Sequence, residues 1–237
     1  MVKWFWQRRP EGRQLTLRSR GDFGDAVRVD FAELAPDIDR FLGQAAYLQL
    51  GYFETITRLI RATDDLDEKE ALSRAAGAAL TKHRGLTDLI VERGKEPTAL
   101  MLPFREELDA FRRKTIGKRP RETMLSVHIT AGMLDDFYLA LASSYGDTGR
   151  RVARILGVDN DRAQIAEIIH QTITSDDEWR WLLSMWGRRL VGDTLLVARA
   201  ALASERLDTQ DEERVEPVFT ALMGSHARRM DAMGLAS

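Results

Sequence analysis

Five polar side chains stand at mid-length in stretches that otherwise read as long apolar helices. The clearest is Asp193, next to Gly192 in "WGRRLVGDTLLVARAAL"; Gln49 lies in "YLQLGYFET", His83 in "ALTKHRGL", and Asp135 and Asp136 in "AGMLDDFYLAL". Carboxylates and histidines projecting inward from four bundle helices hold pairs of iron ions, with a Glu from each of two helices and a Glu-x-x-His pair from each of the other two. Such chemistry needs the polar groups at one depth, so the helices that carry them come next.

Residues 1–33 alternate like short strands around a Gly/Asp turn and form an irregular or hairpin extension. From residue 34 the pattern turns helical, with apolar residues at Ile38, Leu42, Ala45, Ala46, Phe53, Ile56 and Ile60 marking a first helix over about 36–63. Asp65 with Glu68 caps a second, which runs to Gly94. A turn and a helix from Pro103 follow, then a helix from Pro120 to about Tyr145, apolar on most of its circumference and therefore central. Two shorter pieces lie near 148–156 and 160–173, and Ser175 with Glu178 reads as a capping box opening a helix over about 176–206. A last helix spans about 211–234. The expectation is an all-α four-helix bundle at 34–206 with flanking helices and a C-terminal helix, 207–237, packed on it.

At ~100° per residue, Gln49 and His83 fall at the centres of their helices' apolar stripes, so both are expected buried and close together. Glu54 points away from that stripe toward Arg58, a favourable i,i+4 partner. Asp193 lies at the edge of its apolar face one turn after Arg189, its expected ion-pair partner, so that Arg189→Ala should destabilise. Asp135 flanks its stripe, whereas Asp136 points to the rear. The metal reading is short of ligands: Leu80 stands three residues before His83 where the motif needs Glu, and Leu196 three residues after Asp193 where it needs His. The only Glu-x-x-His, Glu167 to His170, lies on a short outer helix and reads as surface.

Composition narrows the field. The chain has 237 residues, 44% of them hydrophobic and 30% charged, as in a globular protein with a substantial core. With no cysteine, disulfides, thiolate metal sites and cysteine nucleophiles are excluded. No apolar run reaches the ~18 residues of a membrane span, nor does the N-terminus read as a signal peptide; a cytoplasmic location is the default. Glycine-rich phosphate loops, nucleophile elbows and zinc-protease motifs are absent. A net charge of -2 confines any nucleic-acid contact to local segments, of which residues 112–121, "RRKTIGKRPR", carry six basic side chains and no acid. "WFWQRR" near the N-terminus is a candidate docking motif for a protein partner or a membrane surface.

The runs "FLGQAAYLQLGYFETITRLI", "LTKHRGL", "LMLPFREELDAF", "TAGMLDDFYLALA" and "MWGRRLVGDTLLVARAAL" resemble an actinobacterial family of ferritin-like fold proteins, grouped with the tRNA 2-methylthio-N6-isopentenyladenosine hydroxylases. The resemblance covers roughly residues 34–206. It implies a ferritin-like fold and, by grouping, an iron- and O2-dependent hydroxylation of a prenylated adenosine in tRNA, with residues 112–121 gripping phosphates. Glu54, His83, Asp135 or Asp136, and Asp193 are the residues placed where those hydroxylases hold metal; the second histidine and at least one carboxylate are missing. Two functions follow as expectations: a bundle without a cofactor, acting through protein contacts and compatible with an oligomer, or the iron-dependent tRNA hydroxylase.

Overall fold

The computed structural model describes residues 35–158, 162–202 and 209–237, the last stretch with side chains from Glu216 onward. The expected N-terminal hairpin and the "WFWQRR" motif lie outside the described residues. Every regular element among the described residues is helical. The helices are α1 (Ile38–Ala62), α2 (Leu66–Glu92), α3 (Pro97–Met101), α4 (Arg105–Thr115), α5 (Pro120–Ala142), α6 (Gly146–Leu156), α7 (Arg162–Ser175), α8 (Asp177–Ala200) and α9 (Thr209–Ala232), with single 3-10 turns at Leu102–Phe104 and Ser143–Tyr145.

Side-chain caps set the long helices. Asp37 and Asp65 accept from the Asp39 and Glu68 backbone N–H groups, both at 2.8 Å, at the starts of α1 and α2. Only Thr63–Asp65 separate these helices, so they fold back as an antiparallel pair. Pro120 occupies the first turn of α5, and Glu122 reaches back to the Lys118 and Arg119 N–H groups. The capping box expected at Ser175 is displaced by one residue: Ser175 closes α7, and Asp176 caps α8 by accepting from Glu178 N at 2.8 Å.

Helix α5 is central, packing against α1, α6, α7, α8 and α9. Met124, Leu125, Ile129, Met133, Leu134 and Leu141 on it are wholly buried. Helix α9 crosses it where Gly132 lets Arg229 lie flat, since a Cβ there would come within 2.4 Å of the guanidinium Nε. No helix among the described residues is long and apolar enough to cross a membrane.

Candidate functional site

The bundle's interior polar cluster is built on Asp135, which is 3% exposed. Its Oδ1 accepts from Gln49 Nε2 on α1 at 2.8 Å, and its Oδ2 accepts from Lys82 Nζ on α2 at 2.8 Å. Arg162, the first residue of α7, brings Nη2 to 3.3 Å from the same Oδ2. One carboxylate thus gathers an amide, an ammonium and a guanidinium from three other helices. Each donor fills a lone-pair direction that a metal ion would otherwise use.

Two hydrogen-bonded groups flank the cluster. Tyr52 donates to Thr130 Oγ1 at 3.2 Å, and burial holds its phenol well above the ordinary tyrosine range. His128 Nδ1 lies 3.2 Å from the carbonyl oxygen of Arg162, so the neutral ring donates there. Burial, reinforced by the Arg162 and Arg229 charges, pushes His128 down to about 4. A small recess borders Gln49, Tyr52, Asp135 and Arg162. Nη1 of Arg162 is buried without a hydrogen-bond partner among the described residues, a place that an ordered water would satisfy.

The other expected site residues are dispersed. His83 is only partly buried, and its Nδ1 lies 2.9 Å from the Ala46 carbonyl oxygen. Gln49 reaches Asp135 instead of His83. The register on α2 explains the difference, because its inward row runs Leu72, Ala75, Ala79, Lys82, Leu86 and Leu89, in steps of three and four. That row passes through Lys82, one residue before the stripe centre expected at His83. Glu54 is half-buried and pairs with Arg112 of α4 rather than Arg58, which is exposed. Asp136 accepts from Ser225 Oγ and Arg229 Nη2, both at 2.8 Å, tying α5 to α9.

Asp193 and Arg189 do not pair. Arg189 is exposed and lies over the Trp186 ring, 5.2 Å from its centroid. Glu167 and His170 are both exposed, Glu167 accepting from Gln171 and His170 lying against the Met233 carbonyl. Among the described residues, no group of three or more His, Asp or Glu is placed to hold a metal ion. Within the basic segment, Arg112 is held by Glu54 and Asp109, Arg121 by both carboxylate oxygens of Glu68, and Arg119 by the Trp179 ring. Arg113, Lys114 and Lys118 are the exposed charges that remain in it without such partners among the described residues.

Lys82 and Arg162 were not anticipated as site residues. The row on α2 contains the signal for Lys82, as the one charged side chain in a run of Ala and Leu. Arg162 carries no such signal, since it enters from the N-terminus of α7, a helix shorter than α1, α2 and α5 that carry the rest of the cluster.

A family model described as a ferritin-like domain of actinomycetes matches residues 35–210. No curated protein matches the chain.

Proposed function

The chain belongs to the ferritin-like domain family of actinomycetes, and from that premise we propose that it is a metal-independent bundle that works through protein contacts. The observation that carries the reading is Asp135, whose carboxylate is engaged by Lys82, Gln49 and Arg162. A pair of iron ions needs about six side-chain ligands, most of them carboxylates, and their negative charge must offset the metal. Here one buried carboxylate is already matched by a lysine and an arginine. The residues present do not fit a di-iron pair.

What the molecule offers a partner is the outer face of α8. Trp181, Met185 and Leu196 are 72%, 54% and 64% exposed and share that face with Gly192, beside which a methyl group would meet nothing within 4 Å. Arg189 and Asp193, of opposite charge and without ion-pair partners among the described residues, flank it. We assign the partner as a second copy of the chain. An antiparallel two-fold pairing of α8 centred near Val191 sets Arg189 of one copy opposite Asp193 of the other and lets the helices approach at Gly192.

The test combines elemental analysis of protein purified without chelators with light scattering across a concentration series. The reading predicts no stoichiometric iron and a dimer that Leu196→Asp converts to monomer without loss of helical circular dichroism. About two irons per chain, accompanied by retention of tRNA, would restore the iron-dependent tRNA hydroxylase. A monomer at all concentrations would remove the α8 pairing while leaving the metal question to its own arm.

A further inference from the structure

At the end of the bundle where α1 gives way to α2, a groove of ≈ 440 Å³ opens between that connection and the first turns of α5 and α8. Its volume lies in the range of sites that enclose small molecules. The apolar wall is formed by Ala62, Pro120, Met124 and the ring of Trp179. The Arg119 guanidinium lies over that ring, 5.1 Å from its centroid, and holds the indole as part of the wall. Leu66, next in the chain to the lining residue Asp65, is 77% exposed.

The rim is acidic. Glu68 gives both carboxylate oxygens to Arg121, so that pair is neutral. Asp65 spends one oxygen on capping α2 and Asp64 is exposed; neither has an ion-pair partner among the described residues. Asp67 and Glu178 stand exposed in the first turns of α2 and α8. Lys118 and Arg119 are the cations on the α5 side, and Arg119 is turned to Trp179. The groove thus joins an aromatic wall to an excess of carboxylates, which fits a peptide that carries aromatic and basic side chains together.

The chain itself contains such a peptide. "WFWQRR", residues 4–9, has three aromatic and two arginine side chains, with Lys3 and Arg13 beside it against one acid, Glu11. Its tether to the described residues is at Ala35, before the start of α1, the end of the bundle where Arg93 of the α2 C-terminus meets Asp39 at 2.7 Å. Helix α1 covers about 37 Å, at ~1.5 Å per residue over its 25 residues. Residues 10–34 can span about 80 Å at ~3.3 Å per residue, so the segment reaches the groove of its own chain with length to spare. A tether of this kind gives a high effective concentration, and a contact of modest affinity is then populated.

We propose that residues 4–9 dock in this groove of their own chain, an aromatic side chain lying against Trp179 and Met124 while Arg8 and Arg9 meet Asp64 and Asp65. The groove is at the end of the bundle, so the assignment stands whether or not α8 pairs with a second copy.

The chain has no cysteine, so a disulfide between two introduced ones reports the contact directly. In the full chain, Gln7→Cys is combined either with Ala62→Cys in the groove wall or with Val91→Cys, exposed at the opposite end of α2 and nearer the tether. A segment that is tethered without docking meets position 91 at least as often as position 62. Docking predicts that mild oxidation closes the Gln7→Cys, Ala62→Cys pair within one chain about tenfold faster or more than the pair with Val91→Cys. Arg8→Glu with Arg9→Glu should slow that closure by about tenfold, and Asp64→Arg added to them should restore part of it. Ala62, Asp64 and Val91 are all exposed, and helical circular dichroism checks that each variant keeps its fold. Equal rates for the two pairs, a disulfide between chains, or a rate that the charge reversals leave unchanged overturns the proposal. Equal rates together with sedimentation of the chain on phosphatidylserine vesicles would assign the segment to an anionic membrane surface instead.

Discussion

Lys82 Nζ lies 2.8 Å from Oδ2 of Asp135, with the two side chains 1% and 5% exposed, joining α2 to α5 across the interior of the bundle. Withdrawing two charges from water is costly, and their attraction offsets that cost only while both are present and hydrogen-bonded. Asp135→Ala should therefore destabilise the fold by about 3 kcal/mol or more, because it leaves cations behind in the core. Lys82→Met combined with Asp135→Leu should recover much of that loss. Chemical denaturation of the two single variants and the double variant measures the coupling; additive losses would show that the pair does not act as a unit.

His128 predicts how stability depends on pH. Its folded-state value is pushed down to about 4 by burial and by Arg162 and Arg229, whereas an unfolded histidine titrates near ~6.5. Above that upper value neither state binds the proton and the ring costs nothing. As pH falls from about 6.5 toward 4 the unfolded chain binds a proton that the folded chain refuses, so stability is lost across that window. The difference amounts to about 3 kcal/mol at the acid end. His128→Gln should flatten the loss between those limits. An unchanged pH profile of the unfolding midpoint would show that the ring titrates normally.

At Arg189 and Asp193 the structure reverses the expectation from spacing. The two lie one turn apart at the edge of α8, which suggested a partly buried ion pair, but Arg189 takes the Trp186 ring instead. Arg189→Ala, at an exposed position, and Asp193→Asn, at a partly buried one, should each change the monomer's stability by less than about 0.5 kcal/mol, as surface substitutions outside a bonded network usually do. Thermal unfolding of Leu196→Asp carrying each change isolates this from association. A loss above about 1 kcal/mol for Arg189→Ala alone would restore the ion pair.

The fold was legible where periodicity is strong. The apolar rows of α1 and α2, the Asp65 cap and the Pro120 start were read close to their observed places, and the apolar circumference of α5 correctly marked it as central. The site was less legible, for reasons that differ by residue. On α2, Leu80, Thr87 and the polar ring of His83 drew the stripe's centre one position past the true row, so Lys82 was passed over. A long basic side chain in a helix ordinarily reads as solvated, and only the steps of three and four through Ala79 and Leu86 argue otherwise. At Asp135 and Asp136 either aspartate was compatible with the pattern, and the choice rests on α7 and α9, which bring Arg162 to one and Arg229 to the other. Glu54 was assigned to Arg58 because local spacing cannot foresee Arg112, 58 residues away on α4.

The central claim is that protein donors, the Gln49 amide and the Lys82 and Arg162 cations, occupy the acceptor positions of Asp135, and thermal unfolding under anaerobic conditions with increasing Fe(II) tests it most directly. A metal that binds the folded chain raises its melting temperature in proportion to the logarithm of its concentration once the site is filled, by about 2.7 kcal/mol of stabilisation at a hundred times Kd. The account predicts the same melting temperature with Fe(II), with a chelator and with neither. A saturable rise that Asp135→Asn abolishes would contradict it and identify Asp135 as a metal ligand.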